Sequence, residues 1–181
     1  VGRIAKLWTP DNIHKKGSGS EIMAFNIAKN LTHNFRVFLF GNFKDGEEST
    51  EGIYSGVQFI DISLYTEFIK KYYIDNLIVL RNSSNLLYFE SVENVYFWNH
   101  DVLPFTHSGI FQTHKTKLKK VVCVSEWQKI NTQMQFDIPD VYFSIIENAI
   151  DINRFVPNPE IQREKFRFIY SSSPDRGLNY L

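Results

Sequence analysis

Two segments of this chain carry residue types that could do chemistry at the spacing chemistry requires. Lys15-Lys-Gly-Ser-Gly-Ser-Glu21 separates an apolar run from an amphipathic one, so it reads as a flexible loop feeding a helix start. A helix start presents N–H groups that no helical carbonyl satisfies, and these suit an anionic oxygen such as a phosphate. The loop departs from the dinucleotide fingerprint, which would place Gly where Ile22 stands, and it lacks the Gly-Lys-Ser/Thr ending of a P-loop. A plain turn with Ser or Gly capping a helix fits it equally well. The second segment, Trp98-Asn-His-Asp101, directly follows a strand-like run, at the carboxyl edge where open parallel sheets gather ligands. His100 can exchange hydrogen bonds with a sugar hydroxyl there, and Asp101 can orient the imidazole or cap the next segment.

Other chemically suggestive residues read as structural. His100, His107 and His114 recur every seven residues, but that spacing does not converge like two histidines one helical turn apart, so no metal is expected. Ser125 sits in Val-Ser-Glu-Trp, not in a GxSxG nucleophile elbow, and reads as a helix cap. Trp127, Tyr88, Phe89, Tyr96 and Phe97 read as core, leaving Trp98 as the aromatic suited to line a cleft. Asp61, Asp75, Asp137 and Asp140 fall at element edges and read as caps or solvated charges.

The elements that must position these residues alternate between short apolar runs and amphipathic stretches, the rhythm of strands joined by crossover helices. Strands are expected at Ile4 to Trp8, Phe35 to Phe40, Val57 to Ile62, Asn76 to Leu80, Val95 to Trp98, Lys120 to Val124 and Val141 to Ile146. Helices are expected at Glu21 to Leu31, Leu64 to Tyr73, Asn85 to Glu90, Phe111 to Lys117 and Glu126 to Phe136, with Ser63 and Ser125 as caps. The Gly- and Glu-rich stretch Asn42 to Gly56 predicts a hairpin excursion. The expected fold is α/β: a Rossmann-like, open, mostly parallel sheet with helices on both faces.

Residues 1–150 form the main domain in this reading. Pro157-Asn-Pro159 stiffens a linker over residues 151–164, and residues 165–181 read as the first strand and helix start of a second, truncated domain.

Composition bounds the function. The chain has 181 residues, 43% of them hydrophobic, which is ample for a core without disulfides. Its 20 Lys and Arg balance 20 Asp and Glu, so it offers no basic field for nucleic acid. The single cysteine, Cys123, lies in an apolar run, which favours a reducing compartment or a buried thiol. No run is long enough to span a bilayer. The expected location is the cytoplasm, with the cytosolic face of a membrane as an alternative that allows peripheral contact.

Taken in order, Ser18-Gly-Ser-Glu21, Asn99-His-Asp101, Val124-Ser-Glu-Trp-Gln-Lys129, Asn148-Ala-Ile-Asp-Ile-Asn-Arg-Phe155 and Tyr170-Ser-Ser-Ser-Pro-Asp-Arg-Gly-Leu178 resemble the GT4-like retaining glycosyltransferases of the GT-B fold. The resemblance implies that this chain is the N-terminal, acceptor-side half of such an enzyme. Its partners would be a nucleotide-diphosphate sugar donor, a hydroxyl acceptor (glycan, lipid or protein) and a C-terminal domain carrying the paired-glutamate motif. No further cofactor is implied. By the same likeness, Ser18, Gly19, Ser20 and Arg176 would meet the donor phosphates, His100 and Asp101 would be the catalytic pair at the transferred sugar, and Trp98 and Asn99 would line the acceptor or sugar site. Ser18 stands where the family has a glycine, and Ala149 stands in its usual Asn-Gly turn. The isolated chain would turn over little or nothing. Two rivals stay open: a non-catalytic carbohydrate- or partner-binding module on the same scaffold, and a nucleotide-cofactor oxidoreductase.

Overall fold

The computed structural model describes residues 7–81, 91–101 and 117–149, together with 152, 158–160, 162 and 164–167. The chain divides into two compact units, Val1–Glu147 and Asn148–Leu181. The first is mixed α/β. Its described elements are α1 (Ile13–Lys16), α2 (Gly19–Leu31), β1 (Val37–Gly41), β2 (Lys44–Asp45), β3 (Glu48–Ser49), β4 (Gly52–Tyr54), β5 (Val57–Asp61), α3 (Tyr65–Lys71), β6 (Ile74–Leu80), β7 (Val92–Trp98), β8 (Leu118–Cys123), α4 (Glu126–Phe136) and β9 (Phe143–Ile145).

Among the described residues the strands form two main sheets rather than one open sheet, and β2 and β3 make a separate small hairpin. In the first sheet β1 runs parallel to β5, while β4 folds back antiparallel on β5. Ser55 and Gly56 join β4 to β5 with φ of 50° and 81°, and positive φ at both central residues is what a type I′ hairpin turn demands. That turn inserts an antiparallel edge into an otherwise parallel arrangement. The second sheet, β6-β7-β8-β9, is parallel throughout. The expected first strand lies largely outside the described residues, and Leu7 and Trp8 belong to no regular element. The helices anticipated at Asn85 to Glu90 and over 111–116 also fall outside them.

Side chains on β1 alternate between two helical layers. Phe38 and Phe40 meet Phe68 and Tyr65 of α3, with ring centroids 4.9 Å (Phe38–Phe68) and 5.4 Å (Phe40–Tyr65) apart. Val37 and Leu39 face the opposite cluster, where Phe25 and Ala28 of α2 pack with Trp8, Phe43, Val57 and Phe59. Helices thus cover both faces of this sheet. In the parallel sheet Val79, Val95, Phe97, Leu118, Val121 and Cys123 pack with Phe136 of α4 and with Ile138 and Phe143. Cys123 is fully buried, and burial pushes its thiol up to about 11 despite a hydrogen bond with Thr132.

The helix ends follow local chemistry. Ser125 Oγ accepts from the Gln128 N–H at 3.2 Å and caps α4, whose far end closes on Asp137 in the left-handed conformation at φ 49°. At α3 the expected Ser63 cap is not formed: the helix follows Leu64 with no side-chain cap, and Asp61 caps the turn before it. The chain first turns through a 3₁₀ segment, Ile62–Leu64, and Asp61 Oδ1 accepts from the Ser63 N–H (3.0 Å) and hydroxyl (2.7 Å). Burial raises the Asp61 pKa, but these bonds and those from the Phe43 and Lys44 N–H groups outweigh it, and the net shift is downward. Trp127 is 64% exposed on α4 instead of buried, because Gln128 and Thr132 occupy the inward face of the helix.

In the second unit, Lys165 and Phe166 form a turn, with Phe166 at φ 67° and the Lys165 ammonium over its ring. Arg167 pairs with Glu164. Arg176, the Ser171 to Ser173 region and most of the expected linker lie outside the described residues. Ala149 is described and is not among the residues with positive φ, so the turn there differs from Asn-Gly. No described helix is long and apolar enough to cross a membrane.

Candidate functional site

The register of β6 against β7 pairs Leu80 with Trp98, so the residues leaving these two parallel strands emerge side by side. Arg81 leaves β6, and Asn99, His100 and Asp101 leave β7. Arg81 takes φ 62°, which is costly for a residue with a Cβ, and its N–H donates to the Trp98 carbonyl at 3.1 Å. Its guanidinium makes two further contacts. Nε donates to Asp101 Oδ2 at 2.6 Å, and Nη1 donates to Ser20 Oγ at 3.1 Å. Ser20 is in the first turn of α2. One arginine therefore joins the turn after β7 to the helix start that the sequence marked as a phosphate cradle.

That helix start is fixed from behind. The Glu21 carboxylate accepts from the Ser18 N–H, as in a capping box, and from the indole N–H of buried Trp8 at 3.3 Å. The Gly19 and Ser20 N–H groups have no acceptor within the helix. A Cβ added at Gly19 would meet nothing within 4 Å, so the space beside the cradle is open. At Gly17 a Cβ would lie 2.7 Å from Ile13 Cγ1, which makes that glycine a packing requirement of the loop. Ser18 and Ser20 hydroxyls are 3.0 Å apart.

His100 is partly buried and stacks on Trp98, with ring centroids 5.9 Å apart and planes 14° from parallel. Its Nε2 and the Trp98 Nε1 are both shielded from solvent and have no hydrogen-bond partner among the described residues. Two orphaned polar atoms on adjacent stacked rings are uncommon in a folded protein and mark a place where a ligand can supply the missing bonds. Burial lowers the His100 pKa first, the Arg81 cation lowers it further, and Asp101 partly opposes them. The ring is held neutral near pH 7, with one nitrogen to donate and one to accept.

Asn99 was expected at the sugar, but it is fully buried. Its Oδ1 accepts from the Asp101 N–H at 3.2 Å and its Nδ2 faces Thr132 Oγ1 at 3.5 Å, so it holds the turn. The Asp101 carboxylate is engaged by Arg81 instead of reaching back to orient the imidazole. With the pair about half exposed at 49% and 54%, its net worth to stability is about 0.2–1 kcal/mol, and its effect is on geometry.

Three residues of this region escaped the sequence reading: Arg81, Gln128 and Thr132. Gln128 is 5% exposed on α4, where Nε2 donates to the Asp101 carbonyl at 3.2 Å and Oε1 accepts from the Val124 N–H at 2.8 Å. It clamps the carboxyl ends of β7 and β8 together. The signal that points to Arg81 is its place as the residue after a parallel strand, the edge that collects ligands. Trp98, His100, Asp101, Ser18, Gly19 and Ser20 are thus brought to one edge, while His107, His114 and Arg176 lie outside the described residues. Among the described residues no group of three or more His, Cys, Asp or Glu is arranged to hold a metal ion. No family model, no curated protein and no solved structure matches this chain.

Proposed function

We propose that this chain is the N-terminal, acceptor-side half of a retaining GT-B glycosyltransferase, moving a sugar from a nucleotide diphosphate to a hydroxyl acceptor. The observation that carries the reading is the Arg81 bridge, which sets the α2 start and the His100 turn beside each other although they are far apart in sequence. As the donor bond breaks, negative charge collects on the leaving diphosphate, and the Gly19 and Ser20 N–H groups at the α2 start are suited to receive it. The neutral His100 ring, with its free Nε2, is suited to a sugar hydroxyl, and Trp98 offers an indole N–H beside it. Catalysis needs both walls of such a cleft to position donor and acceptor.

The test is a titration followed by the amide signals of Gly19 and Ser20 and the ring signals of His100. UDP- and GDP-sugars, the corresponding nucleoside diphosphates, NAD and free oligosaccharides are added in separate arms. The glycosyltransferase reading expects the diphosphates to move Gly19 and Ser20, and the sugar-bearing donors to move His100 as well. Response to oligosaccharides alone replaces it with a carbohydrate-binding module, response to NAD alone replaces it with an oxidoreductase, and silence in all arms removes it.

A further inference from the structure

Arg81 contributes to the region in a way that goes beyond the phosphate and sugar contacts assigned above, although the inference rests on that placement of the site. A left-handed backbone at φ 62° is comfortable for glycine and strained for arginine, and such strain collects where the surrounding structure over-determines a functional geometry. The strained backbone directs the side chain across the carboxyl edge of the sheet. Its fork then meets two segments: Ser20 at the start of α2 and Asp101 after β7. The α2 end of this bridge is anchored to the core through Glu21 and Trp8, and the Asp101 end is anchored through Asn99 and Gln128. A rigid planar cation between two anchored groups sets their separation, which a lysine, as a single point donor, cannot do at both ends.

We propose that Arg81 is a positioning residue of this site: its guanidinium fixes the distance between the α2 start and the turn carrying His100, so that a phosphate-facing wall and a sugar-facing ring are presented together. Asp101 is then the anchor of Arg81 and not a group that acts on the substrate.

The experiment uses the 181-residue chain without ligand and compares wild type, Asp101→Asn, Arg81→Gln, Arg81→Lys and the Arg81→Gln/Asp101→Asn pair by NMR. Amides of Val95 and Val121 report that the fold is intact. If Arg81 is the link, Asp101→Asn shifts the Gly19 and Ser20 amides in the wild-type background and has no further effect once Arg81 is Gln. The His100 titration midpoint rises in Arg81→Gln through loss of the neighbouring cation. It returns toward wild type in Arg81→Lys, while the Gly19 and Ser20 amides stay displaced because the fork is missing. A shift at Ser20 that is the same with and without Arg81, or no shift in any variant, overturns the proposal. Should Arg81→Gln fail to fold, Asp101→Asn alone decides, since its side chain is half exposed: an unmoved Ser20 amide refutes the link. No ligand enters these measurements, so their failure leaves the donor titration standing, and failure of that titration leaves Arg81 as the organiser of a site with other chemistry.

Discussion

Gln128 offers the sharpest test of how the site is built. Replacing it with Ala removes the donor to the Asp101 carbonyl and the acceptor for the Val124 N–H, both in a partly buried setting. An unsatisfied buried group costs about 1–3 kcal/mol, and partial water access holds each of these to the lower half of that range. Truncating a side chain that is only 5% exposed also leaves a small void, so the total loss is about 2–4 kcal/mol. In urea unfolding that loss moves the midpoint down by about 1–2 M. Gln128→Glu keeps an acceptor for Val124 but sets a buried carboxylate against the Asp101 carbonyl, so it costs at least as much as Ala. In both variants the His100 and Asp101 amides shift, because the turn after β7 loses its clamp. A loss below about 1 kcal/mol in Gln128→Ala would show that water replaces the side chain freely, and the clamp would have to be abandoned.

Further outcomes follow from burial and charge. Because the folded His100 pKa lies below the ordinary imidazole value of 6.5, the unfolded chain binds that proton first. Stability from this group is therefore full above pH 6.5 and falls as the pH drops from there through the folded pKa; His100→Gln should flatten that part of a stability–pH curve. With its thiol pushed up to about 11, Cys123 should alkylate in the native protein at pH 8 at least about 100-fold more slowly than in urea, and equal rates would place the thiol at the surface. Phe97→Ala empties the centre of the parallel sheet, where the ring is fully buried, and should cost about 3–5 kcal/mol by chemical denaturation.

The α/β character and two of the helices were legible in the sequence because their signals are local. Ser125 caps α4, the Ser18–Glu21 pair opens α2, and the apolar face of α2 carries Phe25 and Ala28 into the core. The alternation of Phe38 and Phe40 with Val37 and Leu39 was readable as a strand, although not which helix each face would meet. What could not be read was non-local. Asn99 looked like a ligand contact because it stands next to His100, yet strand geometry sends alternate side chains to opposite sides and buries it beneath the turn. Arg81 drew no attention in the sequence, since neither its positive φ nor the neighbour supplied by β7 is written in the residues around it. Trp127 faces solvent and Gln128 inward because helix phase, not polarity, decided which was buried. Gln128 can occupy that position because both of its amide atoms find partners.

Parallel pairing of β6, β7, β8 and β9 has a consequence for how the protein reaches its native state. Adjacent parallel strands cannot be joined by a tight hairpin, so every neighbour in this ladder must first close a long crossover, and entropy is lost before any pairing enthalpy returns. The edge bearing Arg81, His100 and Asp101 takes shape only after β7 has docked on both β6 and β8. Refolding should therefore be slow for a chain of this length, and the Trp98–His100 stack should be among the last features to form.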